Sequence, residues 1–284
     1  MRLLLVFASA LLAILSSSGL ASARPLGVVK NEGVLRVAVY DDFPPFSYRE
    51  NGAAKGIDVA VAEQIAGMLG VKLDVTFITA GETLDSDLRL NFLRGDLAGS
   101  PLSDVMMHVP HDRTFAAQQD MFFFAAPYFQ EELVIAYDKD VEPEIRELRD
   151  LAGKPIAVEV DSASDLLLLM ADDGVYRGKL RHYRTFAEVM ATFLRKEAPI
   201  IIGVRSEIEG GLHETKQPIA SVRFATLPQT NLIHQSWPVG VAVKANATDL
   251  AREVDNVLAK LRQSGELERI FDRFGVSYKN ASAF

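Results

Sequence analysis

An aromatic, proline-containing turn follows a strand-like run and could bind a small molecule. Residues 34–40 have the apolar alternation of a strand, and Pro44 and Pro45 make the next turn rigid. In open α/β sheets, ligands bind at the carboxyl ends of the strands. We therefore predict a ligand cleft at this point. The side chains that the strand end and the turn would present are Tyr40, Asp41, Asp42, Phe43 and Phe46.

Two residues near this turn have alternative interpretations. We expect the ring of Phe43 to face the cleft and the ring of Phe46 to belong to the core. Asp58 precedes an amphipathic segment, residues 59–69, and an acidic residue there is a usual helix-start signal. Asp58 is thus predicted to cap the helix or brace the turn, with a ligand contact as the alternative.

A second polar group has the spacing His108-x-x-His111-Asp112. Two histidines at i and i+3 could ligate a metal, but without a third ligand in sequence the signal is weak. We predict no metal and no other cofactor here. The cluster is interpreted as a histidine-lined wall of the cleft or as a structural turn.

Composition excludes several classes of protein. The 284 residues include no cysteine, which rules out thiol catalysis, zinc ribbons and iron–sulfur clusters. A formal net charge of −8 with dispersed basic residues argues against nucleic-acid binding. The sequence has neither a G-x-S-x-G elbow nor a phosphate-binding glycine loop, so we predict a protein that is not an enzyme.

The N-terminus has the pattern of a cleaved export signal. Arg2 is followed by an apolar run, residues 3–15, and by Ala21-Ser22-Ala23. The run is short for a membrane span, although an uncleaved anchor is the alternative. We expect cleavage before Arg24, a periplasmic location, no membrane insertion after cleavage, and a monomer.

Strand-like and helical segments alternate along the remaining chain, which predicts an α/β protein with mostly parallel sheets. The predicted strands are residues 35–40, 72–78, 104–109, 132–137, 155–160, 182–185, 200–204, 221–224 and 239–244. The predicted helices are residues 58–69, 87–94, 162–171, 186–195, 248–263 and 267–274.

The chain resembles the extracellular solute-binding proteins of ABC importers, in particular the amino-acid-type family 3. The resemblance covers roughly residues 30–275. The matching segments are Gly33-Val-Leu-Arg-Val, Phe43-Pro-Pro-Phe-Ser-Tyr48, Gly56-Ile-Asp-Val-Ala-Val-Ala-Glu, Leu69-Gly-Val-Lys-Leu, Ala126-Pro-Tyr-Phe129 and Val239-Gly-Val-Ala-Val-Lys244.

This resemblance implies a type II periplasmic-binding-protein fold, in which two α/β lobes are joined by a hinge with two chain crossings. A signal peptide, residues 1–23, would precede the lobes. Residues 24–131 and 238–284 would form lobe 1, and residues 132–237 would form lobe 2. The lobes would close over a ligand by hinge bending.

The resemblance also suggests ligand contacts, but the chain departs from the family pattern. Family members hold the ligand's α-carboxylate with a Gly-x-Ser/Thr-x-Thr segment and an arginine. Here the stretch reads Asp104-Val-Met-Met-His-Val-Pro-His-Asp-Arg113, so His108 replaces a hydroxyl donor and Arg113 corresponds to the arginine. In lobe 2, Ser162 could bind the ligand or cap a helix. Arg205 stands where the family places an aspartate for the α-ammonium, which predicts an anionic ligand if Arg205 faces the cleft.

Two functional hypotheses follow from the resemblance. The first is a periplasmic binding protein that closes over a small polar, anionic solute for an ABC permease, with Tyr40, Asp41, Phe43, His108, Arg113, Ser162 and Arg205 as candidate ligand contacts. The second is an accessory protein that docks onto a periplasmic quinoprotein (PQQ) dehydrogenase, since the altered segment is similar to a subgroup associated with those enzymes.

Overall fold

The computed structural model describes residues 24–95, 99, 101–141, 144–227 and 233–281. The predicted signal peptide lies outside the described residues. Among the helices within these ranges, none combines the length and the apolar character that a membrane crossing requires.

The helices and strands alternate along the chain as predicted. In chain order they are α1 (Leu26–Glu32), β1 (Val34–Tyr40), β2 (Tyr48–Glu50), β3 (Ala53–Lys55), α2 (Ile57–Leu69), β4 (Lys72–Ile78), α3 (Leu84–Arg89), β5 (Val105–Pro110), α4 (Arg113–Ala117), β6 (Phe122–Asp138), β7 (Ile156–Glu159), α5 (Ala163–Met170), β8 (Leu180–Tyr183), α6 (Phe186–Leu194), β9 (Ile200–Val204), α7 (Arg205–Glu214), β10 (Val222–Thr226), β11 (Ser236–Lys244), α8 (Thr248–Gln263) and α9 (Glu266–Arg273).

The main sheet has the strand order β4–β1–β5–β11–β6–β9–β7–β8, and β10 also pairs with β6. β1 runs parallel to β4 and β5, and β7 runs parallel to β8 and β9. The central pairs β5–β11, β11–β6 and β6–β9 are antiparallel. The sheet is thus parallel at both ends and antiparallel where the two parts of the chain meet.

Strand β6 belongs to both parts of the sheet. Its first half pairs with β11, from Phe122 to Glu132, and its second half pairs with β9 and β10. Buried side chains form separate cores on the two sides of this strand: Val61 and Leu258 lie in one core, and Leu167 and Ile202 in another. The chain therefore has the two-lobed α/β fold of a type II periplasmic binding protein, with β6 and β11 as the crossings.

Two elements near the crossings were not predicted. The strand that begins at residue 122 was expected to begin at 132, since its first half is almost continuously aromatic and apolar rather than alternating. Helix α7 was not expected because Gly210 and Gly211 lie in its middle, and glycine has low helix propensity. Both elements contribute to the site described next.

Candidate functional site

The aromatic turn after β1 is tied to the first turn of α2. The amides of Ile57 and Asp58 donate to the carbonyls of Pro45 and Phe46, at 3.0 and 2.9 Å. A Cβ atom at Gly56 would lie 2.1 Å from the Phe46 oxygen, and the backbone there has φ +123°, so only glycine fits. Because the turn satisfies these helix amides, the Asp58 side chain is not needed as a cap.

Phe43 is half-buried at the edge of an aromatic cluster. Its ring stacks on Phe46 at 5.4 Å between centroids and meets the edge of the His108 ring at 4.8 Å. Phe46 is fully enclosed, as predicted. The Tyr40 hydroxyl donates to Asp87 at 3.0 Å, and burial raises the pKa of Tyr40. The Tyr40 ring therefore lies against this aromatic cluster, and its hydroxyl is already hydrogen-bonded to Asp87.

Two β-bulges beside Gly240 of β11 bring polar side chains together. In the first bulge, β5 has one extra residue relative to β11, and His108 has a positive φ of +56°. In the second, β6 has two extra residues relative to β11, and Ala126 has a positive φ of +53°. Bulges are known to re-aim side chains near functional sites. Here they direct His108 and Tyr128 toward Asp58, which is fully buried.

Asp58, Tyr128 and His108 form a polar cluster that two hydrogen bonds and one charge contact join. The Tyr128 hydroxyl donates to Asp58 Oδ1 at 2.5 Å, and the His108 amide donates to the same hydroxyl at 3.2 Å. His108 Nδ1 lies 3.2 Å from Asp58 Oδ2. Burial raises the pKa of Tyr128 well above its usual value, and the neighbouring Asp58 raises it further.

The predicted histidine cluster does not converge on one point. His108 faces Asp58, whereas His111 is buried against Phe124 and Gly240 and burial lowers its pKa to about 4. The Asp112 carboxylate caps α4 by accepting from the Phe115 amide at 2.7 Å. Within the described ranges no group of three or more acidic or histidine side chains is arranged to hold a metal ion.

Two of the predicted contacts are exposed at the carboxyl edge of lobe 1. Asp41 lies directly after β1, and its carboxylate accepts from the Asp42 amide at 3.1 Å. Arg113 begins α4, after β5, and makes no ion pair or hydrogen bond with the part of the chain that the structure describes. Its guanidinium is therefore open to a ligand.

Ser162 is a helix cap. Its hydroxyl accepts from the Asp165 amide at 3.1 Å and donates to the Glu159 carbonyl at 2.7 Å. This geometry supports the capping interpretation of the two that the sequence left open, so a ligand contact through this hydroxyl remains only a sequence-based prediction.

Arg205 does not occupy the predicted position facing a ligand. Its guanidinium donates to Glu209 at 2.7 Å and to Glu132 at 3.1 Å, and it stacks on Phe224. The reason for the difference is helix α7, which begins at Arg205 and places Glu209 one turn later on the same face.

The carboxyl ends of the lobe 2 strands carry two acidic residues instead. Glu159 ends β7, and Glu207 lies in the first turn of α7, directly after β9. Burial raises the pKa of Glu207 to about 8, and repulsion from Glu159 contributes. Burial also raises the pKa of Glu159. A nearby positive charge would lower both pKa values.

A third acidic group lies in the crossing strand. Glu131 Oε2 accepts from the Ser206 hydroxyl at 2.6 Å, and Oε1 is buried without a hydrogen-bond partner among the described residues. Burial raises the pKa of Glu131 well above its usual value, and the carboxylates of Glu207, Glu132 and Asp58 raise it further. Acidic groups of both lobes thus meet at the crossing.

Helix α7 also contacts lobe 1 directly. A Cβ atom at Gly210 would lie 2.8 Å from Cγ of Pro45, in the aromatic turn, and Glu209 Oε2 accepts from the Ser277 amide at 2.7 Å. A cavity of about 10 Å³, large enough for about one water molecule, lies between α7 and the C-terminal segment. Its lining residues are Phe129, Gln130, Glu131, Glu132, Arg205, Ser206, Glu209, Val276, Ser277 and Lys279.

Sequence reasoning did not assign Glu131, Glu159 or Glu207 to the site. The available signal was that Glu159 and Glu207 follow predicted strands on the carboxyl side, where parallel sheets bind ligands. Nothing in the sequence indicated that Glu131 would be buried, because it lies in a segment that was not expected to be a strand.

Residues 35–89 match the model of the bacterial extracellular solute-binding proteins, family 3. The probable amino-acid-binding protein YxeM of Bacillus subtilis (strain 168) is 23% identical over 266 residues, which cover 94% of this chain and 92% of YxeM. By these matches the chain is similar to the family 3 solute-binding proteins over residues 35–89 and to YxeM over nearly its whole length.

Two further similarities concern a part of the chain and the fold. Cyclohexadienyl dehydratase of Pseudomonas aeruginosa is 48% identical over 73 residues, 25% of this chain and 27% of that enzyme. The structure of an ancestral cationic amino acid solute-binding protein aligns with a TM-score of 0.69 and 22% identity, covering 88% of this chain and 99% of that one. At that identity the structural similarity shows a common fold.

Proposed function

We propose that this relative of the family 3 solute-binding proteins closes its two lobes over an amino acid, or a similar small molecule, that carries a positively charged group. The observation that carries the proposal is the pair Glu159 and Glu207, two carboxyl groups with raised pKa values at the ligand-binding edge of lobe 2. A cation bound between them would remove both the repulsion and the cost of burial.

Lobe 1 would supply the remaining contacts. The half-buried ring of Phe43 offers a face or edge for packing, and a cation near an aromatic ring gains electrostatic attraction. The unpaired guanidinium of Arg113 would bind the α-carboxylate in the bidentate geometry that arginine favours. Asp41 and Tyr40 would line the same edge.

The charge of the solute is where this proposal departs from the sequence-based prediction. An anion was predicted because Arg113 was expected to bind an anionic group and because Arg205 would attract one if it faced the cleft, with an outward, solvated Arg205 as the alternative. The Arg205 guanidinium is bound by Glu132 and Glu209, so its charge is already neutralised. A cation would favour ionisation of Glu159 and Glu207, whereas an anion would oppose it.

The compartment, lobe boundaries and partner belong to the same proposal. We propose an exported, monomeric protein with lobe 1 formed by residues 24–131 and 238–284 and lobe 2 by residues 132–237, delivering its solute to an ABC permease. The relatives described above include solute-binding proteins and an enzyme, and they give no support to a dehydrogenase-accessory role.

Calorimetric titration with L-arginine, L-lysine, L-glutamine and L-glutamate tests the proposal. We expect the two cationic amino acids to bind most tightly, and Glu207→Gln to weaken arginine binding about tenfold or more, as for loss of a charge-assisted hydrogen bond. Glu214→Gln, at the exposed end of the same helix, is the matched control and should bind as the wild type does. Tighter binding of glutamate than of arginine would contradict the proposal.

A second candidate function is acid catalysis of dehydration. It is favoured by the partial similarity to cyclohexadienyl dehydratase and by the raised pKa of Glu207, about 8, which keeps a carboxylic acid protonated at neutral pH. A neutral carboxyl group can protonate a leaving hydroxyl group. Prephenate would then lose water and CO₂ together, and the electrons of the broken bond between the ring and its carboxylate would complete the aromatic ring. Incubation with prephenate, followed by detection of phenylpyruvate, distinguishes turnover from simple binding. Turnover that Glu207→Gln does not reduce would contradict this candidate.

A further inference from the structure

We propose that Asp58 and Tyr128 are positioning residues that hold His108 as a hydrogen-bond acceptor for the positively charged group of the bound solute. The inference rests on the proposed function for the class of solute. Its structural part concerns the state of the His108 ring and can be tested without any ligand.

Asp58 has one carboxylate oxygen for each neighbour. Oδ1 accepts from the Tyr128 hydroxyl at 2.5 Å, and Oδ2 lies 3.2 Å from His108 Nδ1. Neither Oδ2 nor Nδ1 makes a hydrogen bond within the described residues, not even to the other, so both buried atoms are unsatisfied. Their 3.2 Å approach brings two unsatisfied buried atoms together, and a proton on Nδ1 would stabilise that contact.

Tyr128 fixes the direction of the hydrogen bonds in this cluster. Its oxygen accepts from the His108 amide, so its own proton points to Asp58. The Asp58 carboxylate consequently has only acceptor oxygens facing His108. With a carboxylate oxygen 3.2 Å away, Nδ1 is the favoured position for the ring proton, which leaves Nε2 as an acceptor. Carboxylates orient ligand-binding histidines in the same way in metal sites.

The backbone is adapted to this arrangement. His108 has φ +56° within a β-bulge, a conformation that side chains other than glycine rarely adopt, and such strain is concentrated at functional sites. An ordinary strand residue at this position would place its side chain elsewhere. This backbone conformation therefore sets where the imidazole lies.

The second ring nitrogen is available to a solute. His108 Nε2 makes no hydrogen bond with the described residues, and it is not among the fully enclosed unpartnered atoms, so it reaches solvent. Phe43 and Phe46 hold the ring at centroid distances of 4.8 and 4.2 Å. Because Phe43 lies at the ligand edge of β1, the accessible nitrogen lies at that edge as well.

A neutral acceptor suits a cationic ligand better than a third carboxylate would. It can accept from an ammonium or guanidinium N–H without adding another buried carboxyl group to those of Asp58, Glu131 and Glu207. An anionic or purely acceptor ligand would find no donor at this nitrogen. His108 would thus favour solutes that donate a hydrogen bond. Glu159 and Glu207 would favour solutes that carry a positive charge.

The tautomer of His108 is measurable by ¹⁵N–¹H NMR of the full chain at pH 8, with His108→Gln used for assignment. We expect a protonated Nδ1 and an unprotonated Nε2 in the wild type. His182, whose Nε2 lies 2.9 Å from Asp165 Oδ1, should show the opposite tautomer and serves as an internal reference. A His108 ring protonated at Nε2, or at both nitrogens, would overturn the inference.

Asp58→Asn tests the positioning role. Tyr128 must still donate to the amide oxygen, so the amide NH₂ would face Nδ1 and the proton would move to Nε2. Asp87→Asn is the matched control, since Asp87 is a buried aspartate that accepts from Tyr40 and contacts no histidine. An unchanged His108 tautomer in folded Asp58→Asn would refute the positioning role. If that variant does not fold, the wild-type tautomer still decides the structural part.

Titration with L-arginine tests the role of His108 in solute binding. We expect both Asp58→Asn and His108→Leu to weaken it on the order of tenfold or more, as for loss of a hydrogen bond to a charged group. Unchanged affinity in both variants, with the predicted wild-type tautomer present, would overturn the role in solute binding. If the wild type binds neither arginine nor lysine, the proposed function fails, whereas the tautomer result stands on its own.

Discussion

The hydroxyl of Ser206 donates a 2.6 Å hydrogen bond to Glu131 Oε2, and this bond joins the start of helix α7 to the strand that passes between the lobes. Both side chains are buried, with 1% and 2% of their surfaces exposed. The other Glu131 oxygen has no hydrogen-bond partner among the described residues, which is the arrangement expected for a carboxylic acid that keeps its proton.

Glu131 should make the stability of the protein fall as pH rises. Its pKa is raised well above 4.5 in the fold, so the folded state binds more protons than the unfolded state above that pH. The resulting stability is fully present below the unfolded pKa and is lost as pH rises through the folded pKa. Glu159 and Glu207 act in the same direction.

Glu131→Gln removes one of these groups while it keeps an acceptor for Ser206. We expect the free energy of unfolding of the variant to fall less steeply between pH 5 and 7, by up to about 1.4 kcal/mol per pH unit. Urea unfolding at several pH values measures this slope. Identical slopes for the two proteins would mean that Glu131 is ionised in the fold.

Solute binding should depend on pH in the opposite sense through Glu207. A bound cation stabilises the ionised carboxylate, so binding below the free-state pKa of about 8 releases a proton. Affinity for arginine should therefore rise with pH until about 8 and then level off. Calorimetry at pH 7 in phosphate and in Tris, whose ionisation enthalpies differ, measures the released protons. Glu207→Gln should release fewer, and an equal release would contradict the assignment.

The contact between Gly210 and Pro45 should control how closely the lobes approach. A methyl group at Gly210 would lie 2.8 Å from a rigid proline ring, whereas one at Gly211 would meet the flexible end of Met190 at 3.0 Å. Both Gly→Ala changes favour the helix by about 1 kcal/mol. We expect Gly210→Ala to increase the radius of gyration measured by X-ray scattering and Gly211→Ala to leave it unchanged. If both variants have the same radius of gyration, the contact between Gly210 and Pro45 does not limit how closely the lobes approach.

Glu209 should contribute strongly to stability at the crossing. It is 1% exposed and accepts from Arg205 and from the Ser277 amide, both at 2.7 Å. Glu209→Ala leaves an amide and part of a guanidinium unpaired, which should cost about 3 kcal/mol. Glu197→Ala, which breaks an exposed pair with Arg195, should change the urea midpoint little. Comparable effects of the two changes would contradict this.

Much of the fold could be predicted from local patterns. The strands at residues 72–78 and 200–204 and the helix at residues 248–263 have the predicted bounds, because each has a clear hydrophobic period. Helix α7 was missed because two glycines obscure its period, and tertiary packing against Pro45 makes at least one of them necessary. The missed helix also explains why the sequence did not indicate the ion pair of Arg205 with Glu209.

The sequence by itself determined the alternation of strands and helices, the aromatic turn at Phe43 and the family resemblance, since these depend on residues close together in the chain. Only the tertiary structure decided the burial and the partners of the site residues. Asp58, Tyr128 and His108 meet through two β-bulges, and Glu131, Glu159 and Glu207 come near one another through the crossing strand. Burial and charge proximity depend on the packing of distant segments, which local sequence patterns do not encode.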